Sequence, residues 1–208
     1  MGIDEYYLMN NDSRALKVRR LEELRGEVLK CRKCALSKTR NNVVFGEGDP
    51  DADLLFVGEA PGRDEDLAGR PFVGRAGKLL TKIINAMGLT REKVFIANIL
   101  KDRPPANRNP KEEEINACRG YLLRQIEIIE PKVICALGTF AAQVLLGVDT
   151  PISKLRGKFY DYHNVKFMPT YHPAYLLRNP GGKKPVWEDM KKIMKELGIK
   201  NNDSSSRS

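Results

Sequence analysis

The sequence predicts an α/β fold, a three-layer α/β/α arrangement around a short central sheet of four parallel strands. Three observations carry that expectation. Four short apolar runs, residues 53–58, 94–98, 133–137 and 165–168, alternate with segments of helical length and period. That alternation builds a parallel sheet covered by helices. The runs are apolar almost throughout, as strands buried on both faces require. Three of the four lead directly into polar side chains, at the strand ends where such sheets bind ligands.

Taken in order, Asp12 or Ser13 is placed to cap a first helix reaching about Leu29, with Leu21, Leu24 and Val28 on one face. Cys31-Arg-Lys-Cys34 follows, then a polar loop through Gly48. Residues 53–58 are a buried strand running into a turn. A helix over residues 78–87 stops at Gly88, a suitable C′ residue. Residues 94–98 form the second strand, ahead of a loop rich in Pro and Arg, residues 101–110. Pro110 suits the first position of the next helix, with Asn109 as N-cap and Glu112–Glu114 complementing the helix dipole. That helix lines up Ile115, Cys118, Leu122, Ile126 and Ile129. Residues 133–137 are the third strand, and Gly138 turns it into a helix over 140–146. The fourth strand, 165–168, leads into Pro169-Thr-Tyr-His-Pro173. A last helix covers about 186–197. Residues 1–200 read as one domain, and 201–208 as a disordered polar tail.

Composition narrows the function classes. Hydrophobic residues make up 41% of the 208, enough for a core, which excludes wholesale disorder. No apolar stretch approaches the roughly 18–20 residues of a membrane span, and none opens the chain as a secretory signal. A soluble, cytoplasmic protein with no membrane partner is expected. Thirty-six Lys and Arg against 27 Asp and Glu leave a net charge of +9, which favours a polyanionic partner such as nucleic acid. Cys31, Cys34, Cys118 and Cys135 are not expected to form disulfides in such a compartment; metal binding and plain burial compete.

The strand ends offer Gly58-Glu-Ala-Pro-Gly62, Asn98, Gly138 and Tyr171-His172-Pro173. Neither a dinucleotide fingerprint nor a P-loop is present: Gly58–Gly62 lacks the spacing, and Gly77-Lys78 has Phe72 where a P-loop needs glycine. No nucleophile elbow exists for a serine hydrolase. Two histidines, His163 and His172, are too few for an imidazole-based zinc site. What remains is a carboxylate (Glu59), an amide (Asn98), an imidazole (His172) and an aromatic (Phe72). Asn both donates and accepts, so it can read a nucleobase edge. An aromatic gives an extracted base a stacking face, and His can donate to an oxygen gaining negative charge. Each has a bland reading as a turn residue, a satisfied loop residue or core; their convergence is the signal.

On these residues the chain resembles the type-4 uracil-DNA glycosylases, the iron–sulfur branch of that superfamily. Four stretches carry the resemblance, in the family's order: Cys31-Arg-Lys-Cys34-Ala-Leu, the block 58–74, residues 98–110, and His172-Pro-Ala-Tyr-Leu-Leu-Arg178. The resemblance implies a DNA repair enzyme that hydrolyses the N-glycosidic bond of flipped-out uracil in single- or double-stranded DNA and leaves an abasic site. It implies that Glu59, Ala60 and Pro61 line the uracil pocket, that Phe72 stacks on the base, and that Asn98 reads the O4/N3 edge. Glu65 would crowd C5 and reject thymine, and His172 would bond O2 of the leaving anion. Glu59 is also the candidate for orienting water. Arg103, Arg108, Tyr175, Leu176, Leu177 and Arg178 would meet DNA, the last three entering the duplex. A monomer, gathered on the nucleoid when bound to DNA, is expected; no sliding-clamp partner can be named.

The resemblance also implies an iron–sulfur cluster with four cysteine ligands. Cys31, Cys34 and Cys118 match three of them. Asp102 stands where the family's other cysteine precedes Arg-Pro-Pro, with its spacing to Cys118 unaltered. Asp102 is therefore expected as an oxygen ligand of a 4Fe-4S cluster, with a 3Fe-4S cluster as the alternative. Cys135 reads as a buried small hydrophobe. A cross-linking relative would carry a nucleophilic His near the Arg-Pro-Pro loop, and residues 103–118 contain none. A non-catalytic iron–sulfur DNA-binding or redox-sensing protein is the alternative from a different class; it would need no base pocket.

Overall fold

The computed structural model describes residues 3–200, with side chains from Asp12 onward. The expected polar tail, residues 201–208, lies outside the described residues. The chain runs α1 (Ile3–Leu29), β1 (Glu47–Gly48), β2 (Leu54–Gly58), α2 (Arg63–Ala68), α3 (Arg75–Ala86), β3 (Phe95–Asn98) and α4 (Glu112–Ile129). It continues through β4 (Val133–Leu137), α5 (Thr139–Leu146), α6 (Ile152–Leu155), β5 (Tyr160–Tyr162), β6 (Val165–Thr170), α7 (Pro173–Arg178) and α8 (Lys183–Glu196). Among the described residues the sheet has six strands, ordered β1-β3-β2-β4-β6-β5. Its central four are the expected parallel strands, with Phe56 opposite Ile96 and Cys135, and Cys135 opposite Met168. β1 and β5 add antiparallel edges.

Alternate residues of each central strand enter opposite cores. Leu55, Val57, Ile134 and Ala136 pack with Leu24, Val28 and Leu122 on the α1–α4 side. Leu54, Phe56, Cys135 and Met168 pack with Leu80, Ile84, Met190 and Ile193 on the α3–α8 side. Both faces are thus covered, and Cys135 is fully buried within the second core. Among the described residues no helix is long and apolar enough to cross a membrane.

Several boundaries differ from the sequence expectation for local reasons. α1 starts at Ile3, not at Asp12 or Ser13, because no glycine or proline in 3–11 interrupts it. α4 starts at Glu112 instead of Pro110, because the Glu114 carboxylate reaches back to the Lys111 N–H at 2.8 Å and sets Lys111 as N-cap. β6 continues past Pro169 to Thr170. β5 pairs only with Val165–Phe167, so one side of Pro169 has no partner strand and its missing N–H breaks no ladder there.

The parallel order places the switch in strand order between β2 and β4. From β2 the chain goes to β3 on one side; from β4 it goes to β6 on the other. A crevice opens at the carboxyl ends of such a pair, and there the site lies.

Candidate active site

A pocket of about 500 Å³ opens at this rim and brings together Glu59, Ala60, Pro61, Glu65, Phe72, Asn98 and His172. Arg108, Tyr175 and Arg178 stand around it. Residues from three separate stretches of sequence therefore share one cavity.

Asn98, the last residue of β3, is 2% exposed, and its Oδ1 is a buried acceptor with no hydrogen-bond partner among the described residues. Leaving such an atom unpaired costs about 1–3 kcal/mol, so a ligand donor at this position recovers a real penalty. Gly58 lies between Asn98 and Phe72: a Cβ there would come within 2.3 Å of Asn98 Oδ1 and 2.6 Å of the Phe72 ring. Only glycine lets the amide and the ring share this wall.

Phe72 takes a left-handed backbone (φ 51°), unusual for a bulky residue. Several contacts hold it so. Arg91 donates to the Phe72 carbonyl at 3.1 Å and to the Pro71 carbonyl at 2.7 Å, and is itself paired with Glu47 on β1. Gly77 presses against the Phe72 carbonyl so closely that a Cβ would sit 1.9 Å from it. Glu65 Oε1 accepts from the N–H groups of Val73 and Gly74, both at 2.9 Å. The carboxylate expected to guard C5 thus ties down the loop that carries Phe72, while still lining the pocket. Arg91 and Glu47 were not singled out from the sequence, since nothing in Thr90-Arg-Glu-Lys93 or the two-residue β1 marks them.

His172 is the N-cap of α7, with Pro173 at the first helical position. Its Nδ1 accepts from the Ala174 N–H at 3.1 Å, which leaves the ring proton on Nε2. Burial, aided by the nearby charge of Arg178, lowers its pKa to about 4, so the ring is a neutral donor near pH 7. Its ring lies 5.7 Å from that of Phe72. Glu59 makes no side-chain hydrogen bond among the described residues, and burial raises its pKa. The other histidine, His163, sits in the β5–β6 turn against Tyr162, away from the pocket.

The expected DNA contacts divide. Tyr175 and Leu177 are 38% and 40% exposed, and Arg178 is exposed. Leu176 is 1% exposed and belongs to the α3–α8 core, so it cannot enter a duplex. Arg108 is held by the buried Glu114 at 2.6 Å and 2.9 Å, and Arg103 donates to Asn107 at 2.7 Å. Arg108 thus shapes the loop beside the pocket with its charge compensated by Glu114, while Arg103 bonds a neutral amide and keeps a charge that this bond does not compensate.

A second, smaller pocket gathers Cys31, Cys34, Cys118 and Asp102 behind that loop. Three thiols in one pocket fit the donor chemistry of an iron–sulfur cluster, and among the described residues no three His, Cys, Asp or Glu converge as a single-ion site. Burial pushes the Cys118 thiol up to about 11. Its Sγ accepts from the Lys101 N–H at 3.2 Å. The fully buried Lys101 ammonium, whose pKa burial lowers to about 8, donates to the Asn98 carbonyl at 2.8 Å and to Gln125 at 2.6 Å. Lys101, which the sequence did not single out, thus joins the cysteine pocket to the base of Asn98. Asp102 does not offer a free carboxylate, since both its oxygens accept from Arg40.

Residues 45–197 match the family described as the uracil DNA glycosylase superfamily. The chain is 48% identical over 188 residues to a type-4 uracil-DNA glycosylase of Archaeoglobus fulgidus, covering 86% of this chain and 94% of the relative. It is 50% identical over 188 residues to one of Sulfurisphaera tokodaii, covering 86% and 85%. A third, of Thermotoga maritima, is 48% identical over 176 residues, covering 83% and 92%.

Proposed function

The chain belongs to the uracil DNA glycosylase superfamily, and from that premise we propose that it excises uracil from DNA by hydrolysing the N-glycosidic bond. The observation that carries this reading within the site is the unpaired Asn98 Oδ1. Uracil presents an N3–H donor beside the O4 acceptor, which an Asn amide complements with Oδ1 and Nδ2–H. Cytosine presents an acceptor at N3 and a donor at N4, and would leave both amide groups opposed. Phe72 supplies the stacking face, and Glu59, Ala60 and Pro61 the wall.

Cleavage separates charge, positive on the sugar and negative on the base. His172, neutral with its proton on Nε2, donates to uracil O2 as that charge grows; a preorganised donor of this kind typically contributes about 10²–10³ in rate. Because the ring is neutral, no full proton transfer is needed for the base to leave as an anion. Glu59, which lines the pocket and makes no side-chain bond among the described residues, orients the water that attacks the sugar. Leu177, Tyr175 and Arg178 on α7 hold the gap left by the flipped nucleotide. We propose further that the protein acts as a cytoplasmic monomer on single- and double-stranded DNA.

Cys31, Cys34 and Cys118 would hold an iron–sulfur cluster, with Lys101 as a buried counter-charge to the thiolates. Such a cluster supplies a cross-link between the end of α1 and α4, and no group to the base pocket. Single-turnover excision on a uracil-containing single strand tests the function. Parent protein should release uracil, Asn98→Ala should lose about 10²-fold or more, and a parent that binds the strand without releasing uracil would favour the non-catalytic reading.

A further inference from the structure

Arg40 and Asp102 form a buried pair at the corner of the cysteine pocket that has no thiol. Their side chains are 11% and 8% exposed. Arg40 Nη1 donates to both carboxylate oxygens, at 3.0 and 2.8 Å, while Nη2 donates to the carbonyls of Leu29 at 3.3 Å and Cys31 at 3.0 Å. One guanidinium therefore joins the end of α1, the Cys31–Cys34 turn and the loop after β3. A cluster on Cys31, Cys34 and Cys118 would tie the same Cys31–Cys34 turn to α4. The backbone beside Arg40 is held in place, because the Asn41 N–H donates to the buried Asp66 carboxylate at 2.9 Å.

We propose that Asp102 is not a metal ligand: its carboxylate is committed to Arg40, this ion pair fastens the fourth corner of the site, and Cys31, Cys34 and Cys118 alone hold a cluster. The energetic reason is that withdrawing Asp102 to bind iron strands a buried guanidinium, and an uncompensated buried charge is far costlier than a pair. The chemical reason is that thiolate is the preferred ligand of iron–sulfur clusters, so a carboxylate already holding a cation competes poorly. The pair also supplies a link that persists when metal is lost, which a fourth cysteine would not. The inference stands on the cysteine pocket and is independent of the reading of the base pocket.

The test uses full-length protein reconstituted anaerobically with ferrous iron and sulfide, read by iron content and Mössbauer spectroscopy. Asp102→Asn and Arg40→Met should each match the parent in iron per chain and in spectrum. Loss of iron or an altered iron site confined to Asp102→Asn would show the carboxylate to be a ligand and overturn the proposal. Thermal unfolding of the metal-free protein gives a second reading. Each single variant should lower the midpoint by roughly 5–15 °C, and the double variant, which strands no charge, should lie no lower than the worse single variant. Additive losses, or no loss in either variant, would equally overturn it.

Discussion

Asn98 keeps an acceptor without a partner, and His172 keeps its proton on the ring nitrogen that the backbone does not claim. Both are poised for a ligand before it arrives, which makes their loss a loss of chemistry more than of folding. His172→Ala should reduce single-turnover excision by about 10²–10³ with the fold intact; a rate within threefold of the parent would remove His172 from the mechanism. The pH dependence follows from its lowered pKa. In the unfolded chain the ring titrates near 6.5, in the folded chain near 4. The unfolded state binds more protons across that interval, so this group's burial costs stability increasingly as pH falls from about 6.5 to 4. The rate should stay level from neutral pH to about pH 5 as far as His172 governs it, then fall as protonation of Nδ1 breaks the bond from the Ala174 N–H that orients the ring. Arg178→Ala should move that inflection upward, since its charge helps to lower the His172 pKa. Glu65 makes a different prediction from the one its sequence position suggested. Because its Oε1 takes two backbone N–H groups of the Phe72 loop, Glu65→Ala should slow uracil excision by about 10–100-fold, the size of a lost charged hydrogen bond. Glu65→Gln retains an acceptor and should restore most of that rate.

At the scale of elements, α7 is six residues long and its neighbouring leucines do opposite things. Leu176→Ala should cost about 2–5 kcal/mol in denaturant unfolding, as truncation of a buried leucine does. Leu177→Ala, exposed one position on, should leave stability within about 0.5 kcal/mol yet weaken binding to uracil-containing duplex. Equal stability losses for the two would contradict the burial that separates them. The sequence does not separate them, because nothing in residues 173–178 marks a helix with one leucine facing in and the next facing out. The four parallel strands were legible because each is an apolar run, and Leu21, Leu24 and Val28 were legible because helical period alone puts them together. β1 and β5 were not, being two and three residues long with no apolar pattern to mark them. Yet β1 carries Glu47, which holds Arg91 against the Phe72 loop. Glu59, Phe72, Asn98 and His172 could be chosen from strand ends and motif, but the bonds that orient them run between segments far apart in sequence. Arg40 with Asp102, separated by 62 positions, is the same kind of contact.

For the whole molecule, the net charge of +9 is distributed in a way the total conceals. Arg40, Arg91, Arg108 and Arg156 are paired with Asp102, Glu47, Glu114 and Asp189 inside or at the edge of the core. Their charges are already compensated within the protein. By contrast Arg63 and Arg75, the first residues of α2 and α3, and Arg178 at the end of α7 are exposed near the rim where the pocket opens. Phosphate contacts should come from this exposed set and its lysine neighbours. With about five contacts, binding should fall with a log–log salt slope near −4.5, several-hundred-fold from 50 to 200 mM. Arg178→Ala should make the slope shallower by about one, as removal of a single phosphate contact does. Arg108→Ala should leave the slope nearly unchanged, because its guanidinium is already held by Glu114, and should instead loosen the loop beside the pocket. Measuring both variants across the same salt series separates a cation facing DNA from one facing the protein. If Arg108→Ala flattens the slope as much as Arg178→Ala, the Arg108–Glu114 pair opens on DNA and the loop after β3 is a direct phosphate clamp.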